Sequence, residues 1–131
     1  MAHPNEDLIR TGYAAFQAGD MAGVGALFAD DIVWHAAGRH QLAGDFRGRD
    51  AVIETFAKTF QLTGGTFALE IHDVLADDDH VVVLVRVTGE REGRTLDDNS
   101  VQVFHVAEGK VTEQWLIPGD PYANDEFWGQ G

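Results

Sequence analysis

A histidine closes a β-branched and aromatic run, Ile32-Val33-Trp34-His35. Its side chain titrates near neutrality when unperturbed, so of all the residues here it is best suited to carry a proton. In a largely apolar pocket His35 would serve as a general base in chemistry that needs no cofactor. On the opposite face of its strand it would only make hydrogen bonds. The second ionisable candidate is Asp120, between Gly119 and Pro121. Burial would raise its pKa and fit it for acid/base work, whereas an aspartate in that setting more simply caps a turn. Asp77-Asp78-Asp79 lacks the glycine and distal glutamate of a calcium loop, and Asp97-Asp98-Asn99 reads as a solvated acidic patch at a strand start. There is no His-x-His, no His-Glu-x-x-His, no glycine-rich phosphate loop and no nucleophile elbow. Neither a metal nor another cofactor is expected.

The bulk of the chain narrows the partners. Nine Lys and Arg stand against 22 Asp and Glu, a formal charge of −13. That surface repels phosphate backbones and anionic head groups, so neither nucleic acid nor a membrane surface is expected as a partner. Zero cysteines exclude disulfides, thiolate metal sites and a thiol nucleophile together. No apolar stretch is long enough to span a bilayer and no basic-then-apolar leader precedes the first helix, which reads as a cytoplasmic protein. With 131 residues, 44% of them hydrophobic, one domain over residues 1–131 is expected.

The elements that must position these side chains follow from periodicity. Ile9, Tyr13 and Phe16 recur at helical spacing over Asn5–Ala18, with Asn5 as a possible N-cap. Gly19 stops that helix, and Asp20 caps a shorter one over Met21–Phe28. The strand around Trp34 follows, and the glycine-punctuated Gly38–Gly48 suits a hairpin or a covering loop. Asp50 is placed to cap a third helix whose stripe is Val52, Phe56 and Phe60. Four strands then succeed one another with hairpin-length turns at Asp77-Asp78-Asp79, Glu92-Gly93 and Glu108-Gly109, and a short tail carries Tyr122, Phe127 and Trp128. Grouped helices followed by consecutive strands make an α+β fold with a mostly antiparallel sheet.

Three segments carry a family resemblance. Leu27-Phe28-Ala29-Asp30-Asp31-Ile32-Val33-Trp34-His35 resembles the helix-to-strand junction of SnoaL-like (polyketide-cyclase-like) proteins, members with ketosteroid isomerase of the nuclear transport factor 2-like superfamily. Gly44-Asp45-Phe46-Arg47-Gly48 before a helix and Gly109-Lys110-Val111-Thr112-Glu113-Gln114-Trp115 are similar to further parts of that group. The resemblance implies a cone: a curved sheet wrapped around about three helices, with a small apolar ligand, cyclic or open-chain, inside. It also implies a homodimer.

Aligned on the turn at Gly109, the resemblance puts Gln102, Phe104, Gln114 and Leu116 on the inner face, and Trp115 outside. It places Trp34 inward and His35 outward, or the reverse if one residue is gained before Gly38. Tyr13, Phe16, Phe56 and Phe60 complete the candidate ligand contacts. Gln102 matches the position where ketosteroid isomerase has a protonated aspartic acid, but that enzyme's base falls near Ala36 and its tyrosine near Gly12, one residue from Tyr13. The cyclases' last-strand aspartate corresponds to Leu116. The Asp-Arg-Asp set of related epoxide hydrolases does not assemble, since alternation puts Asp73 with an apolar set and Arg86 opposite it. The implied function is a small-molecule pocket with cofactor-free isomerase, cyclase or hydratase chemistry, or a ligand-binding or association module without chemistry. An outer patch of Val82, Leu84, Val101, Val103 and Trp115 is too apolar to leave in water and supports the dimer.

Overall fold

The structure is a computed structural model and describes residues 3–130. In chain order the elements are α1 (Pro4–Gln17), α2 (Met21–Gly25), β1 (Phe28–Ala36), β2 (Gly44–Arg47), α3 (Arg49–Leu62), β3 (Ala68–Ala76), β4 (His80–Arg91), β5 (Arg94–Ala107), β6 (Lys110–Ile117) and α4 (Pro121–Trp128). The six strands form one curved sheet in the order β2-β1-β6-β5-β4-β3. Every neighbouring pair is antiparallel except β1 and β6. The expected α+β cone is thereby formed.

Local chemistry sets the element ends, at times through residues other than those expected. α1 is capped by His3, whose ring accepts from Asn5 N–H at 3.0 Å. Pro4 follows at the first helical position, where its missing N–H costs nothing. Asn5 instead donates to the carbonyls of Asp77 and Asp78, tying α1 to the β3–β4 turn. Asp20 caps α2 as expected, but the helix ends at Gly25 because Phe28 already pairs with Val111 in the sheet. Gly48 is the N-cap of α3, with a φ of 91° that only glycine adopts readily, and Asp50 lies in the helix's first turn without capping it. Gly44–Arg47 is a strand that forms a hairpin with β1. Two-residue turns at Glu92-Gly93 and Glu108-Gly109, with positive φ at both residues, join β4 to β5 and β5 to β6.

Two bulges correct the simple alternation. One between Ile71 and Asp73 in β3 turns Asp73 to solvent, away from the apolar set. The other, near His105 and Val106, lets Val111 share the inner face with Gln114 rather than oppose it. The chain's end is also more ordered than a tail: Asp120 caps α4 through Ala123 N–H at 3.0 Å, with Pro121 next.

Inside the cone, Phe16 packs edge-on against Phe56 and Phe67, with ring centres 5.4 and 6.0 Å apart, and Trp34 meets Phe56 at 4.0 Å. On the outer face Leu75, Val82, Val103 and Trp115 form one cross-strand row ending at His35. Leu84, Val101 and Ile117 form the next row. No helix among the described residues is long and apolar enough to cross a membrane.

Candidate functional site

Helices α1 to α3 and the concave face of the sheet enclose a cavity of about 110 Å³, with α4 at one end. Alternation along the strands decides what faces it. On β5, Ser100, Gln102 and Phe104 point inward; on β1, Trp34 does; on β6, Gln114 and Leu116 do. Tyr13, Phe16 and Phe56 reach it from the helices. Phe60 does not line it but buttresses the wall from behind, 4.9 Å from Phe16.

One wall is polar. Tyr13 O–H donates to Gln102 Oε1, and Gln114 Nε2 donates to the same oxygen at 3.3 Å. Burial pushes the Tyr13 phenol far up, so it stays neutral. Trp34 Nε1–H and Gln114 Oε1 are buried here without a partner among the described residues. Thr55 and Thr59 also face the cavity, but their hydroxyls bond to carbonyls of their own helix.

His35 lies outside this site, which corrects its candidacy as the pocket's proton carrier. The antiparallel pairing with β2 and the parallel pairing with β6 leave Trp34 inward and His35 on the outer face. There its Nδ1 bonds Asp45 at 2.7 Å, its Nε2 bonds Glu113 at 2.5 Å, and its ring stacks on Trp115. Two carboxylate acceptors need both ring nitrogens protonated, so this geometry selects the imidazolium. The hydrogen bonds to Glu113 and then Asp45 raise the His35 pKa. Stability from this cluster is therefore complete below the unfolded value of about 6.5 and lost as pH rises through the folded value. Urea melts of wild type and His35→Gln from pH 5.5 to 9 should show a stability gap that closes with rising pH; a constant gap contradicts the assignment.

Asp120 is likewise corrected from acid/base candidate to helix cap, exposed and outside the cavity lining. Arg86 pairs with Asp97 in solvent, through bonds of 2.9 and 2.7 Å, and Asp73 is exposed too, so no Asp-Arg-Asp set forms.

Asp98 is no solvated patch. It is 8% exposed, and its Oδ2 accepts from Asn124 Nδ2 (2.9 Å), Gly119 N–H (3.0 Å) and Ser100 Oγ (3.3 Å). This carboxylate fastens α4 across the end of the cone, placing Asn124 and Trp128 on the cavity wall. A Cβ at Gly119 would come within 2.1 Å of Asn99 O, so only glycine fits beneath the latch.

His40, assigned nothing from the sequence, lines the cavity and is 9% exposed. Its Nδ1 accepts from Leu42 N–H at 3.1 Å, which leaves the neutral ring's proton on Nε2. Burial lowers its pKa, opposed by the charge of Asp125. It is therefore a neutral donor.

The fold and its inward-facing wall define a cone of the nuclear transport factor 2-like class. Within that class the chain belongs to the SnoaL-like domain family, whose model matches residues 9–114. Uncharacterized protein Rv0034 of Mycobacterium tuberculosis is 36% identical over 123 residues, covering 93% of this chain and 94% of its own. Bal32a, from a soil-derived mobile gene cassette, is 40% identical with a TM-score of 0.93, over 96% of this chain and 97% of its own. TerC, solved after co-crystallization with polyporic acid, is 25% identical with a TM-score of 0.84, over 95% and 98%.

Proposed function

We propose that this SnoaL-like chain binds a small, largely apolar molecule inside its cone, in contact with Phe16, Phe56 and Phe104 and oriented by Gln102 and Gln114. The observation that carries this reading is the cavity itself: a largely apolar lining, with a hydrogen-bonded polar cluster of Tyr13, Gln102 and Gln114 beside the Trp34 indole N–H. Pockets with a few convergent polar groups in an apolar lining are the usual form of small-molecule sites. Co-crystallization of TerC with polyporic acid supports the same use of the fold.

Binding is favoured over acid/base catalysis. No carboxylate lines the cavity among the described residues, and His40 would have to give up its bond to Leu42 N–H to act as a base. Isomerase, cyclase or hydratase chemistry thus has no basic group with a free lone pair in the described lining, since the unpartnered Gln114 oxygen belongs to a non-basic amide.

Toluene is a suitable probe, because a ligand that binds only the folded chain raises its melting temperature by mass action. Toluene should raise the melting temperature of wild type in a concentration-dependent way, and should leave Leu116→Trp, whose indole fills the cavity, unmoved. Equal behaviour of the two proteins sinks the pocket reading. The outer row of Leu75, Val82, Val103 and Trp115, continued by Leu84, Val101 and the 49% exposed Ile117, supports pairing with a second copy. Sedimentation equilibrium at micromolar concentration should return twice the chain mass; a monomer alone rejects it.

A further inference from the structure

Trp34 and Gln114 are register partners on adjacent strands, so their side chains emerge side by side into the cavity. Trp34 is 9% exposed and Gln114 4%, yet each keeps one buried polar atom without a partner among the described residues. The two atoms are complementary: the indole N–H can only donate, and the Gln114 oxygen can only accept. The orientation of Gln114 follows from its neighbours, because its Nε2 donates to Gln102 Oε1, the oxygen that also accepts a hydrogen bond from the Tyr13 hydroxyl. Buried polar groups are rarely left bare, since each unmet one is costly.

Charge limits the occupant further. The described lining holds no Lys, Arg, Asp or Glu. Its two titratable residues, Tyr13 and His40, are both held neutral by burial. A charged ligand would therefore lose its hydration without a counter-charge. An anion would also meet the field of a chain with net charge −13. Size limits it as well, since about 110 Å³ is close to the ~150 Å³ apolar cavity that accepts benzene.

Building on the pocket reading above, we propose that the ligand is a neutral, single-ring molecule with a hydroxyl group held between Trp34 and Gln114. The hydroxyl oxygen accepts from the indole N–H and its proton is donated to the Gln114 oxygen. A bare ketone or ether meets only half of this pair, and a hydrocarbon meets neither.

Titration calorimetry at pH 7 with phenol, anisole, toluene and benzoate tests the inference. Phenol should bind wild type roughly tenfold or more tightly than toluene, as two modest hydrogen bonds allow, with anisole between them or weaker and benzoate weakest. Gln114→Met should bring phenol down to the level of anisole while leaving toluene unchanged. Trp34→Phe should lower phenol and anisole together. The wild-type series needs no variant, so a Trp34→Phe protein that fails to fold leaves the test intact. Phenol no tighter than toluene overturns the hydroxyl subsite while the pocket reading stands. Benzoate tighter than phenol overturns the neutral class. Binding by none of the four probes rejects the pocket and this inference with it.

Discussion

Replacing Asp98 with alanine should cost the fold about 3 kcal/mol and release α4 from the end of the cone. The carboxylate is buried and serves three donors at once, from Ser100, Gly119 and Asn124. Asn124 Nδ2 keeps a second acceptor in Asp120 O at 2.9 Å, so it is not fully orphaned. The Gly119 N–H loses its partner outright. Its backbone is already pressed so closely on Asn99 that it cannot turn elsewhere without moving. Denaturant melts would read the stability loss, and hydrogen exchange would read the release, as early exchange of the α4 amides at Asn124 and Gly129. Asp98→Asn keeps the size and one acceptor oxygen, and should lose markedly less. A loss below about 1 kcal/mol for alanine would assign the latch to other contacts, such as Gln41 on Trp128 O and Arg91 on Phe127 O.

Phe56→Ala should have a comparable or larger effect, about 3–5 kcal/mol. The ring is 4% exposed and lies within 4.0 to 6.0 Å of Phe16, Phe28 and Trp34, between α3 and the sheet. Its removal leaves a void that stiff aromatic neighbours cannot collapse to fill. The same void adjoins the cavity, so the variant carries a functional prediction too. At a temperature where it remains folded, Phe56→Ala should accept naphthalene, which wild type should exclude in favour of toluene. Unchanged selectivity would mean that Phe56 packs the core without shaping the pocket.

Much of this was legible in the amino-acid order, and the misses have physical causes. Helical spacing named Tyr13, Phe16 and Phe56; alternation along β5 and β6 grouped Gln102 with Phe104 and Gln114 with Leu116, and the family resemblance, aligned on Gly109, put those sets inside. The Trp34 or His35 choice could not be made locally. It depends on the pairing of β1 with two other strands, which one strand's own residues do not encode. Asp98 was within reach, because it shares the even-numbered face of Ser100 and Gln102; its acidic neighbours drew it into a surface reading. α4 also announced itself, through an N-cap aspartate followed by proline. His40 had no such signal. It joins the cavity because Gln41 N–H bonds Gly129 O, holding the loop against the far end of the chain.

The electrostatic layout is as informative as the apolar one. Charges on this chain are spent outside the cone or in its latch: His35 between Asp45 and Glu113, Arg86 on Asp97, Asp98 under α4. Among the described residues the cavity lining keeps only neutral polar groups. That division is why a binding cavity fits the geometry better than a proton-transfer site, and why the expected ligand is uncharged.

The most direct test of the account is diffraction from crystals of this chain equilibrated with phenol. The account predicts one ring-shaped density among Phe16, Phe56 and Phe104, with its oxygen within hydrogen-bond distance of both Trp34 Nε1 and Gln114 Oε1. A cavity holding only ordered water under those conditions, or phenol bound on the outer face beside Trp115, would contradict it.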